Sequence, residues 1–135
     1  MHELALRITD PDKCYIFAAN ATRKGHPALA LQAYRRAVDL RAGKHSAASE
    51  AEHAAIRAVY AYEEALSHSR GKRTRATGTW QMVNRHGVFA AIGKRAEART
   101  AEDVTPALKA LGMEDYSFAA VCAAYPEAFT GQKAA

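Results

Sequence analysis

Residues 46–67, SAASEAEHAAIRAVYAYEEALS, carry Ala48, Ala55, Val59, Tyr62 and Leu66 at helical spacing, reinforced by Ile56. A stripe of this period belongs to a helix with a core-facing side and cannot be met by the two-residue alternation of a half-buried strand. It predicts a helix of about five turns. Ser46 or Ser49 can cap its start, and Ser49 with Glu52 three residues on approaches a capping box. Glu50, Glu52, Glu63 and Glu64 are assigned to the other, solvated faces. No segment of the chain shows strand alternation, and no repeat of fixed period is present.

The remaining segments are punctuated as helices. Asp10-Pro11 supplies a side-chain acceptor followed by proline at the first helical position. Cys14, Phe17, Ala18 and Ala21 then fall on one face, and Gly25 ends the segment. His26-Pro27 opens a second helix in which Leu31, Tyr34 and Val38 recur, closed by Gly43. After the long third helix, HSRGKRTRATG has no apolar period and reads as a loop or frayed helix end. Thr77 or Thr79 can cap a short helix, TWQMVNR. His86-Gly87 makes a turn, and periodicity resumes with Val88, Ala91 and Ile92. Thr100 can cap the next segment, AEDVTPALKAL, in which Pro106 is unfavourable unless the helix begins just before it. Gly112 ends that helix, and a last amphipathic one spans Phe118, Val121 and Cys122 and stops before Pro126. The expected fold is an all-α, single-domain bundle of six or seven helices over residues 1–130, with one longer basic loop and a disordered tail at 131–135.

The chain has 135 residues, enough to bury one core, and 49% are apolar. Much of that is alanine, which favours helix but buries little area. Closely approaching helices anchored by Phe17, Tyr34, Tyr62, Trp80, Phe89, Phe118 and Phe129 are therefore expected. No run approaches the roughly 18 apolar residues of a membrane span. The start, MHELALRITD, has no apolar core of a signal peptide. Cys14 and Cys122 form neither a CxxC pair nor a zinc spacing. These features point to a reducing, cytoplasmic setting and no membrane partner.

Charge is the most informative feature for function. Between Glu64 and Glu97 there is no acid, while Arg70, Lys72, Arg73, Arg75, Arg85, Lys94 and Arg95 supply seven cations. With +5 overall, the rest of the chain carries about −2, so the basic character is local. Arginine and lysine on a loop suit phosphate contacts, with Thr77 as a hydroxyl donor. Gln81, Asn84 and Arg85 fall at i, i+3 and i+4, placing base-edge and phosphate-type side chains on one helical face. TGTWQMVNRHGVFAAIGKRAEAR also has the pattern of a helix, a turn and a helix, with Lys94 and Arg95 at the nucleic-acid backbone. Trp80 reads first as an anchor of the loop to the core, and second as a stacking platform for an unpaired base.

Other chemistries find less support. Glu50-x-x-His53 resembles half of a helical di-iron site, but the second half is missing, so no metal is expected. No serine lies in a nucleophile elbow, and Gly71-Lys72 lacks the other residues of a Walker loop. The chain is therefore expected to be non-enzymatic, with no cofactor. The function expected is nucleic-acid binding, to double-stranded DNA before RNA, through Arg70, Lys72, Arg73, Arg75, Thr77, Gln81, Asn84, Arg85, Lys94 and Arg95. The alternative is a helical protein–protein adaptor using a groove around Leu29, Tyr34 and Arg35, with a solvated basic loop.

Overall fold

A computed structural model describes residues 7–97 and 104–129, and these are mostly helical, without strands. Helix α1 (Pro11–Arg23) starts where Asp10 accepts the Asp12 amide at 3.0 Å, with Pro11 in the first turn. It buries Cys14, Ala18 and Ala21. Helix α2 (Pro27–Gly43) answers with Ala30 and Ala33, so the hairpin closes on an alanine seam that lets the two backbones approach. The expected anchor Phe17 lies at the edge of that seam, only partly buried.

Helix α3 (Glu50–Arg70) is the centre of the molecule. At its start Ser49 accepts the Glu52 amide at 3.1 Å, and Glu52 reaches back to the Ala48 amide at 3.0 Å. This is the expected capping box, with the return bond displaced by one residue. Ala48 itself is exposed and precedes the helix. Residues from Ala54 to Ser67 are buried on nearly every side rather than along one stripe. Two clusters meet there. One joins Val38, Ala61, Ala65 and Leu66 to Leu108, Leu111, Met113 and Tyr116. The other joins Ala55, Ile56, Ala58 and Val59 to Val88, Ile92, Val121 and Phe129. A helix buried on nearly every side must be enclosed, and α2, α5 (Val88–Glu97), α6 (Thr105–Ala110) and α7 (Phe118–Ala124) enclose it.

The helix runs to Arg70, taking in the first three residues of the expected loop or frayed helix end, and Gly71 caps it in the left-handed conformation at φ 72°. The reversal at Gly71 sends residues 72–76 back along the last turn of α3. A Cβ at position 71 would meet nothing within 4 Å, so Gly71→Ala carries only the backbone cost of that conformation. The expected loss is about 1 kcal/mol, read as a lower urea midpoint with an unchanged slope. Gly71→Asn should lose less.

Helix α4 (Thr77–His86) begins earlier than expected, and neither threonine caps it. Ala76 is the N-cap because its methyl is drawn into the first cluster. Thr79 instead sits in the first turn, 1% exposed, with its hydroxyl unpartnered. Helix α6 does begin just before Pro106, as the proline requires. The last segment divides into a 3₁₀ turn (Glu114–Tyr116) and α7, because Ser117 caps a new helix by accepting the Ala120 amide at 3.1 Å. The Thr100 cap and the tail at 131–135 lie outside the described residues. No helix among them is long and apolar enough to cross a membrane.

Candidate nucleic-acid interface

The acid-free interval is fastened by the two acids that precede it. Glu63 and Glu64 were expected on solvated faces, but they are 8% and 1% exposed. Alanines and leucine surround them on α3, so their carboxylates point into the fold and need internal donors. Trp80 Nε1 donates to Glu63 Oε1. Arg73 Nη2 donates to Glu64 Oε2 at 3.0 Å, and His68 Nε2 lies 3.3 Å from the same oxygen. Burial pushes the Glu64 carboxyl up, but hydrogen bonds from His68 and Arg73 outweigh it and hold the group below its ordinary value.

Ser67 completes the fastening. Its hydroxyl donates to the Glu63 carbonyl at 2.8 Å and accepts the Thr74 amide at 2.9 Å. It also receives Arg73 Nη1 at 3.3 Å. The Arg73 guanidinium lies 4.0 Å over the Tyr15 ring, so it bridges α1, α3 and the turn. Burial, with Glu64 nearby, pushes the Tyr15 hydroxyl up to about 12. The basic segment is therefore a short, tied turn of residues 71–76 rather than a free arm.

Trp80 takes the anchoring role. Beyond its bond to Glu63, its ring stacks on His45 at 5.8 Å with a 3° interplanar angle and meets Tyr60 at 4.9 Å. The Tyr60 hydroxyl in turn lies 2.6 Å from His45 Nε2. Trp80 packs against both clusters and fixes α4 to α3.

What remains outside is defined by this fastening. Arg70 ends α3 and is exposed, as are Lys72 and Arg75 in the turn. Thr77 is exposed at the first position of α4, and Gln81, Asn84 and Arg85 are all exposed along it. Lys94 is exposed near the end of α5. Arg95 is half-buried against the start of α4, where a Cβ on Gly78 would stand 3.4 Å from Arg95 Nη2. Its Nε is buried without a hydrogen-bond partner. Among the described residues, no carboxylate pairs with Lys72, Arg75, Arg85 or Lys94.

The interval also contributes to a cavity of about 180 Å³ lined by Arg41, Tyr60, Glu63, Arg73, Thr74 and Arg75. The sequence reading gives no functional role to Arg41, Tyr15, Glu63, Glu64 or Ser67. The available signal was the Glu63-Glu64 pair, set among Ala61, Ala65 and Leu66 immediately before a run without acids. A broader cavity of about 590 Å³ lies by Ser49, Glu50, His53, Arg57 and Tyr125. Among the described residues, no group of three or more His, Cys, Asp or Glu side chains is placed to hold a metal ion.

The groove residues of the first hairpin are engaged within the fold. Arg35 makes a two-pronged bond to Asp115, at 3.0 and 2.7 Å, and donates to the Gly112 carbonyl at 2.9 Å. Tyr34 stands edge-on to His68 at 4.4 Å, and Leu29 packs on the alanine seam. Comparison with known protein families, curated proteins and solved structures returns no match.

Proposed function

We propose that this chain binds nucleic acid, double-stranded DNA in the first instance, through the exposed side of the 70–95 segment. The observation that carries this reading is the inward engagement of Glu63 and Glu64. The two acids that precede the basic run are used up by Trp80, His68 and Arg73, so they do not neutralise its outer side. Lys72, Arg75, Arg85 and Lys94 are left exposed without carboxylate partners among the described residues, on a scaffold that does not have to be ordered on binding. Arg70, Thr77, Gln81 and Asn84 add polar contacts, while Arg73 and Arg95 act from partly buried positions. Duplex is favoured over single strands because the best stacking ring, Trp80, is occupied by His45 and Tyr60.

Four phosphate contacts imply a fall in affinity of about 100-fold between roughly 50 and 200 mM salt. Fluorescence anisotropy with a random-sequence duplex measures this. Arg75→Glu combined with Arg85→Glu should weaken binding and flatten the salt slope without disturbing the fold. Failure of the wild type to bind duplex at the lower salt would end this reading.

A further inference from the structure

We infer that the cavity between α2, α3 and the 71–76 turn binds a single phosphate group, either inorganic phosphate or the terminal monoester of a larger molecule. Three arginines from two separate stretches of the chain converge on it: Arg41 from the end of α2, and Arg73 and Arg75 from the turn. The lining holds one carboxylate, Glu63, and one of its oxygens already receives the Trp80 indole N–H. The lining therefore carries a formal +2, and +1 remains once Glu64, paired with Arg73, is counted.

Two of the three arginines also meet one aromatic ring. Arg41 and Arg73 share the Tyr15 ring, their guanidinium carbons 5.4 and 4.0 Å from its centre. Arg73 is balanced by Glu64, but among the described residues neither Arg41 nor Arg75 has a carboxylate partner. The Arg41 guanidinium reaches the Tyr15 hydroxyl, but its Nε is buried with no hydrogen-bond acceptor. A charged donor removed from water and left unpaired calls for an acceptor, and an oxyanion supplies several at once. Guanidinium groups suit the paired oxygens of phosphate in particular.

Size selects within that class. At about 180 Å³ the space is below the range of roughly 300–1,000 Å³ that encloses organic ligands. It admits a tetrahedral oxyanion but not a whole nucleotide, so any larger molecule must enter by its phosphate end. This inference does not depend on the exposed side of α4 binding duplex.

The test is calorimetric titration of inorganic phosphate into the full chain, with ionic strength held constant by sodium chloride. Saturable one-to-one binding is expected. Arg41→Gln and Arg75→Gln should each weaken it about ten-fold, and Arg85→Gln should leave it unchanged. Should Arg41→Gln fail to fold, Arg75→Gln, at an exposed position, decides alone. No binding above the chloride background, or binding that survives the Arg75 substitution, overturns the inference. A 5′-phosphorylated trinucleotide and its 5′-hydroxyl twin separate the two sources. Tighter binding of the phosphorylated form than of inorganic phosphate supports the terminal monoester, and equal binding supports free phosphate. Loss of duplex binding with phosphate binding retained removes the proposed function alone, and the reverse removes the phosphate site alone.

Discussion

Arg73→Ala is expected to destabilise the fold by about 3 kcal/mol, the low end for breaking a buried ion pair, because Arg73 is itself half-exposed. What makes the loss large is the group left behind. Glu64 is 1% exposed and would keep its charge with His68 as the only remaining donor. Glu64→Gln should cost less, since it leaves Arg73 free to turn to water. A double-mutant cycle should show the two substitutions to be strongly non-additive. The pH dependence identifies the cause. The folded Glu64 carboxyl titrates below its ordinary value, so its contribution is complete above the ordinary carboxylate range. It is lost as the pH falls through the folded value. Urea unfolding of wild type and Arg73→Ala should therefore differ most near neutrality and converge in acid. A gap that persists unchanged at acidic pH would mean that the ion pair is not its origin.

Trp80→Ala should cost about 3–4 kcal/mol. The indole fills space between both clusters, and its removal also strips Glu63 of its donor. Trp80→Phe separates the two contributions. It keeps most of the ring packing but orphans the buried carboxylate, at a cost of about 1–3 kcal/mol. In the unmodified chain, Trp80 emission should be blue-shifted and insensitive to single-stranded DNA. A red-shifted spectrum quenched by single strands would show the ring to be a stacking surface instead.

Most of the helical order is legible in the residues themselves. Asp10-Pro11, Ser49 with Glu52, and the turn at His86-Gly87 are local devices, complete within four or five positions. The acids were read wrongly because their meaning is not local. A glutamate on a helix normally faces water, and nothing within one turn of Glu64 announces Arg73 across a reversal nine residues away. The same holds for Glu63, whose partner is seventeen residues on. The threonine caps failed for a related reason. Thr77 and Thr79 have the right chemistry for a cap, but burial of the Ala76 methyl fixed where α4 begins. For the site, the exposure of Gln81, Asn84 and Arg85 follows from periodicity, whereas Arg41 enters only through three-dimensional proximity.

Tyr15 has a mechanical consequence. Helix α1 packs extensively on α2 alone, through side chains too small to interlock. The Tyr15 ring latches it to the far side by lying under Arg73. That contact joins the start of the chain to the turn at 71–76 across the bundle through one aromatic ring.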